Sequence, residues 1–313
     1  MDTEPYTVDP RDERRHPPDG ELLWNESYYL DFVADDGSVG GYARIGMYPN
    51  LGVTWWTTMV VGPDRPMVSS VAFDLPPPAG DRIAIESDHH LVTCQAELPL
   101  ELMRLQATAP AVVNHDPTSS YRGGSGTATT VSIDLAWRTD GRPYHYGVTT
   151  RYEIPCLVEG EVSVGDERIG IRGQGQRDHS WGVRDWWAFG WCWAALRLDD
   201  GTRIHFADIR IPGMPVALGY LQSPGAPVRA VASLEVVDRL GSEGLPTAAT
   251  VTVGPGPVEL VIEPVAFGPV LLTAPDGRTS RFPRAMARCT AADGRRGTGW
   301  IEWNQPDGAA PGR

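Results

Sequence analysis

Residues 173 to 187 run Gly-Gln-Gly-Gln-Arg-Asp-His-Ser-Trp-Gly-Val-Arg-Asp-Trp-Trp, placing two Arg-Asp dipeptides, one imidazole and three indoles in a single short stretch. Charged groups buried among bulky rings must be paired or must change protonation state. Histidine exchanges protons near neutrality, and a carboxyl raised by burial can serve as an acid, so this combination points to general acid–base chemistry. His179, Asp178 and Asp208 are the candidate proton-exchanging residues. Asp208 enters through strand alternation: over 203–209, Ile204, Phe206 and Asp208 share one face, opposite His205 and Ala207. A carboxyl in an apolar row needs a partner or stays protonated, since burial raises its pKa by up to about 3–5 units.

Alternation also orders the motif itself. Over 177–181, Arg177, His179 and Trp181 face one way, and Asp178 and Ser180 the other. If 187–193 is extended, Trp187, Phe189, Trp191 and Trp193 form an aromatic wall on one face. Such a wall either lines a ligand site, where its faces stabilise a developing cation by about 2 kcal/mol, or is plain core. Trp181, Trp187, Phe189, Trp191, Phe206 and Arg177, with Trp24 and Glu26 from an early strand, are the candidate substrate-binding residues. The structural alternatives are an Arg177–Asp178 ion pair closing the strand, a satisfied core histidine at 179, a barrel-edge carboxylate at Asp208 hydrogen-bonded to arginine, an Arg184–Asp185 pair, and a first-strand packing role for Asn25 and Glu26.

Composition removes several function classes. All 27 basic residues are arginine, which excludes Schiff-base and pyridoxal phosphate chemistry on an internal lysine. A net charge of −13 argues against nucleic acid and anionic membrane as partners. No run approaches the roughly 18 apolar residues of a membrane span. Cys94, Cys156, Cys192 and Cys289 form no CxxC pair and read as reduced, buried thiols of a cytoplasmic protein. His89-His90 and His115 lack matched carboxylates, so no metal site is expected. Gly123-Gly124-Ser125-Gly126 lacks the lysine and helix of a phosphate loop, and no dinucleotide fingerprint occurs, so no cofactor is expected.

The elements that would position these residues are strands. Asp-Gly pairs at 36–37, 140–141, 200–201, 276–277 and 293–294 sit between alternating, β-branched and aromatic segments, the mark of hairpins. The paired strands read as 28–34 with 39–45, and 191–198 with 202–211. Only Leu98 to Gln106 offers a helical window, a short one that contains Pro99. With 35 glycines and 28 prolines punctuating short strands, the fold class is all-β and antiparallel. The expected organisation is a tail or wrapping arm over 1–20, an N-terminal β domain over 21–160, a C-terminal β domain carrying the Arg-Asp-His-Ser-Trp-Gly motif over 161–307, and a tail over 308–313.

At Trp24-Asn25-Glu26-Ser27-Tyr28-Tyr29, Gly41 to Gly46, Gly173 to Gly182 and Gly297 to Glu302, the chain resembles the hydroxyneurosporene synthase-like, or AttH-like, group that includes carotenoid 1,2-hydratases. More narrowly it resembles paired bacterial domains of unknown function. The resemblance spans roughly residues 20 to 305, and the Arg-Asp-His-Ser-Trp-Gly motif is its most specific part. It implies two lipocalin-like β-barrel domains packed together, with a largely apolar cavity at or near their junction. It also implies a catalytic His-x-Trp pair, matched by His179 and Trp181, and a Tyr-x-Asp pair, matched by Phe206 and Asp208 with phenylalanine in place of tyrosine.

Together these readings lead to a cofactor-independent acid–base enzyme of the hydratase, isomerase or cyclase kind. Its expected partner is a hydrophobic small molecule of isoprenoid, steroid-like or polyketide character. Two alternatives stand beside it: a pericyclase that works by cavity shape, and a non-catalytic carrier of a hydrophobic ligand.

Overall fold

The computed structural model describes residues 7–123, 126–241 and 244–308. The outermost parts of the two expected tails, 1–6 and 309–313, and the glycine-rich positions 124–125 lie outside them. Among the described residues, every element apart from two short 3-10 helices, Pro10–Glu13 and Pro117–Arg122, is a strand, in keeping with the turn pattern. The helical window at 98–106 is instead a tight reversal between two strands, with Leu100 at a φ of 61°. Alternating burial through Met103, Leu105 and Ala107 explains why the strand wins over the local helical pattern.

The first sheet has eleven strands. In chain order they are β1 (Trp24–Ala34), β2 (Gly40–Tyr48), β3 (Val53–Gly62), β4 (Arg65–Leu75), β5 (Ile83–Glu86), β6 (Leu91–Leu98), β7 (Leu102–Asn114), β8 (Thr127–Thr139), β9 (Tyr144–His145), β10 (Arg151–Val164) and β11 (Glu167–Val183). In space the order is β4-β3-β2-β1-β11-β10-β8-β7-β6-β5, with β9 on β10, and a further β4–β7 pairing closes eight of them into a ring. Trp56, Leu105, Leu135, Trp137 and Tyr152 lie in its core.

The second sheet also has eleven strands. These are β12 (Gly190–Leu198), β13 (Arg203–Arg210), β14 (Val216–Gln222), β15 (Arg229–Ala230), β16 (Ser233–Leu240), β17 (Pro246–Gly254), β18 (Val258–Phe267), β19 (Val270–Thr273), β20 (Thr279–Phe282), β21 (Arg284–Ala291) and β22 (Arg296–Pro306). Their order is β15-β14-β13-β12-β22-β21-β18-β17-β16, with β20 joining β19 to β22. Phe206, Val251, Ile301 and Trp303 belong to its core. Four of the five Asp-Gly pairs, at 36–37, 200–201, 276–277 and 293–294, close hairpins with glycine at positive φ. Asp140-Gly141 instead carries the chain on from β8 to β9 along the same edge of β10, so the hairpin expected there does not form.

The chain divides into two compact units, the second beginning its main segment at Asp185 and also including 61–67 and 115–125. The expected boundary at 160/161 falls inside β10 and is therefore displaced. The motif strand β11 is not the start of the second domain; it lies between β1 and β10 of the first sheet. Its Gly-Gln-Gly spacing has a steric cause. A Cβ at Gly175 would lie 1.9 Å from the Asp31 carbonyl oxygen, and one at Gly173 would lie 2.1 Å from that of Val33. Only glycine lets β11 approach β1 this closely. All four cysteines are free and buried. Among the described residues no helix is long and apolar enough to cross a membrane.

Candidate functional site

Pairing register places three side chains in one row: Tyr28 of β1 and Tyr152 of β10 flank His179 of β11. The imidazole is fully buried, stacks on Tyr28 at 3.9 Å with 17° between planes, and meets Tyr152 edge-on at 5.5 Å. Alternation then brings Arg177, His179 and Trp181 to a common face, as the sequence implies. All three meet the same object, residues 12–16 of the N-terminal segment.

That segment begins with Asp9, which caps the Pro10–Glu13 helix by accepting from the Arg11 amide, with Pro10 in its first turn. It delivers three groups to β11 and a fourth, from Arg15, to Glu26 of β1. The Asp12 carbonyl accepts from His179 Nδ1 at 2.7 Å. The Glu13 carboxylate accepts from Arg177 Nη1 at 2.7 Å and from the Tyr152 hydroxyl at 2.5 Å. The His16 ring stacks on Trp181 at 3.7 Å and 7°. The Arg15 Nε lies 3.8 Å from Glu26 Oε2. What reads from sequence as a tail or wrapping arm is, over 12–16, an arm seated against β11.

Glu26 of β1, 1 % exposed, completes the site. Its Oε1 accepts from the His16 amide at 2.8 Å and lies 2.9 Å from His16 Nδ1 and 3.1 Å from His179 Nε2. A carbonyl can only accept, so Nδ1 of His179 carries hydrogen. Nε2 therefore faces a carboxylate oxygen, an arrangement suited to passing a proton between the two groups. Burial acts to raise the Glu26 carboxyl, but hydrogen bonds from His16 and His179 outweigh it and hold the group below its ordinary value. Burial foremost pushes the phenols of Tyr28 and Tyr152 well above theirs, keeping both as neutral donors.

His16, Glu26 and His179 each offer a ligand atom within 4.8 Å of the others, a two-histidine, one-carboxylate donor set that sequence spacing does not reveal. The His16 amide donates to Glu26 Oε1, and the Arg15 Nε lies 3.8 Å from Oε2, so a positive charge already stands beside this carboxylate.

Other expected site residues are placed elsewhere. Asp178 points to the opposite face of β11 from His179, where Arg151 Nη2 holds it at 2.8 Å in a network with Glu153, Gln176 and Tyr146. It is not ion-paired with its neighbour Arg177 and does not join His179. Trp24 is buried at the start of β1, opposite Val183. Asp185 pairs with Arg278 at 3.2 Å rather than with Arg184, which donates to backbone carbonyls of Thr150 and Trp181.

Asp208 and the aromatic wall belong to the second unit. Asp208 is not a lone carboxyl: Arg210 Nε donates to it at 2.8 Å, and the same guanidinium reaches Asp238 at 2.7 Å. Arg210 lies two residues along the strand, hence on the same face, a signal the sequence carried. The wall is also revised, because 186–189 form a turn and β12 starts only at Gly190. Trp191 instead packs with Trp186, Phe189 and Phe282 at 5.5 to 6.4 Å, while Trp187 donates to the Leu272 carbonyl and Trp193 meets His205. Phe206 is fully buried core.

Sequence reasoning missed Asp12, Glu13, His16 and Tyr152 as site residues and underrated Glu26. The one available signal was the Asp-Glu-Arg-Arg-His run at 12–16, which is charge-dense and follows a proline.

A family model for a domain of unknown function, DUF7064, matches residues 9–307. The chain belongs to this family. The matched region begins at Asp9, so it takes in the arm that covers His179. No curated protein matches the chain in sequence. Among solved structures, the fold is similar to that of a protein described as AttH from Nitrosomonas europaea, at 14% identity and a TM-score of 0.67, covering 96% of this chain and 97% of that one. It is similar to kievitone hydratase from Nectria haematococca at 12% identity and a TM-score of 0.65, covering 97% and 94%. CghA is similar at 11% identity and a TM-score of 0.56, covering 98% and 97%. At these identities the likeness is one of fold.

Proposed function

We propose that this protein is an acid–base enzyme of the hydratase, isomerase or cyclase kind, exchanging a proton with a hydrophobic small molecule at His179 and Glu26. The observation that carries the reading is the approach of His179 Nε2 to Glu26 Oε1, 3.1 Å apart and both buried, a placement in which the two can share a proton. Tyr152 of β10, whose hydroxyl lies 3.2 Å from Nδ1, holds the ring so that Nε2 is the exchanging atom, with the Asp12 carbonyl as a second partner on Nδ1 in the closed state. In a hydration, the shared proton passes to one carbon of an alkene, water adds to the other, and the water's surplus proton returns to the pair. The faces of Tyr28 and Trp181 beside the imidazole stabilise positive charge on the way, by about 2 kcal/mol where water is excluded. A hydratase among the similar folds supports this class, and the match of His179-Ser180-Trp181 to the His-x-Trp pair of the hydroxyneurosporene synthase-like group supports these residues. Isoprenoid, steroid-like and polyketide molecules are the substrates that such chemistry suits.

The role first assigned to Asp208 passes to Glu26, since Asp208 already shares Arg210 with Asp238. Incubating the protein with metabolite extract from cells that carry its gene, and following mass and retention, tests the proposal. His179→Gln and Glu26→Gln should each lower turnover by about 10²–10⁴-fold, the usual worth of a positioned acid–base group. Asp208→Asn should stay within about tenfold of the parent, which is less than the loss of such a group brings. Recovery of every bound molecule unchanged sinks the enzyme reading in favour of a carrier.

A further inference from the structure

We propose that residues 12–16 are a built-in stand-in for the ligand, and that the ligand replacing them is a planar conjugated carboxylate whose acid group binds Arg177 and Tyr152 while its flat body stacks on Trp181. This rests on the acid–base reading of the same site and names its substrate class.

Any molecule that reacts at His179 must touch it, yet His179 is fully buried, with the Asp12 carbonyl on Nδ1 and the His16 ring sharing Glu26 Oε1 beside Nε2. The segment must therefore yield during a reaction cycle. It meets the strand through groups that a small molecule can present: a carboxylate on Arg177 and Tyr152, a carbonyl on His179 and a flat ring on Trp181. These mark where an acid group and a conjugated plane belong.

The fit of the arm is incomplete. Arg177 is 2 % exposed, and its Nε and Nη2 are buried without a hydrogen-bond partner, as is Oε2 of Glu13. A planar guanidinium offers a fork that a carboxylate can meet with both oxygens, whereas Glu13 uses one oxygen on one nitrogen. Orphaned buried polar atoms are costly, so a ligand carboxylate that satisfies the fork gains what the arm leaves unmade. One guanidinium with one phenol suits a monoanion. The tethered arm competes at high effective concentration, so the free chain binds such a ligand weakly until the arm is loosened.

The experiment is isothermal titration of the full chain with trans-cinnamate, a flat conjugated carboxylate, with uncharged cinnamamide as control. Glu13→Gln removes the competing carboxylate, and His16→Ala removes the ring over Trp181 together with its contact to Glu26. Both should bind cinnamate about tenfold or more tightly than the parent, as expected when a competing closed state is depopulated, with no such gain for the amide. Circular dichroism checks that the variants are folded, and His16→Ala decides the matter if Glu13→Gln does not fold. Unchanged or weaker cinnamate binding in a folded variant, or an equal gain for the amide, overturns the proposal. Such a result alongside His179-dependent turnover retires the ligand assignment alone. Tighter cinnamate binding alongside His179-independent turnover retires the acid–base reading alone.

Discussion

Arg177→Met tests whether the arm is held by a buried ion pair. Arg177 and Glu13 meet at 2.7 Å with both side chains 2 % exposed, so solvent screens neither charge. Removing the guanidinium leaves the Glu13 carboxylate buried beside Tyr152, and breaking such a pair from one side costs about 3–5 kcal/mol. At about 2–4 °C per kcal/mol for 150–250 residues, the midpoint should fall by about 6–20 °C. Glu13→Gln, which strands the opposite charge, should cost a similar amount. The double variant carries no uncompensated charge and should be more stable than the sum of the single losses by well over 1 kcal/mol, the range typical of residues in direct contact. Urea and thermal unfolding of all four proteins at pH 7 complete the cycle. Additivity within about 0.5 kcal/mol would show that the two groups do not interact in solution, and the seating of the arm described above would be wrong.

The pH dependence of Glu26 has a definite sign. Its folded pKa is lowered, so its stabilising contribution is present above the unfolded value of about 4.3 and is lost as pH falls through the folded one. The difference in unfolding free energy between the parent and Glu26→Gln should hold steady from neutrality to about pH 5 and shrink below about pH 4, and a gap that widens on acidification refutes the assignment. Gly175→Ala should destabilise the first sheet by about 3 kcal/mol or more, because the new methyl meets a backbone carbonyl that cannot move aside; a midpoint within a degree of the parent refutes the close-approach argument. Trp137→Phe removes a 2.6 Å donor from the buried Asp31 carbonyl and should cost about 1–3 kcal/mol in denaturant unfolding. A smaller loss there means that the carbonyl finds another partner.

The strands and their faces were legible in the sequence because both depend on neighbours one to five residues apart. Asp-Gly turns fixed the hairpins, and alternation put Arg177, His179 and Trp181 together. The alternative of an arginine-bonded Asp208 was open from sequence, and the same rule singles out Arg210, two positions away on the same face. It failed over 187–193, where a turn at 186–189 interrupts the period on which the aromatic wall depended. Partners from distant segments were not legible at all. Nothing local to Asp178 names Arg151, and nothing local to Arg177 names Glu13.

Sequence alone thus determined an antiparallel all-β chain with a motif strand whose chemistry-bearing side chains share one face. Backbone stereochemistry and the two-residue period of a strand suffice for that. Tertiary structure decided which sheet receives the strand, which carboxylate faces His179, and that an arm over residues 12–16 covers it. Those outcomes depend on sheet order and on long-range pairing of buried charges, where a group must find its counter-charge wherever the fold brings one.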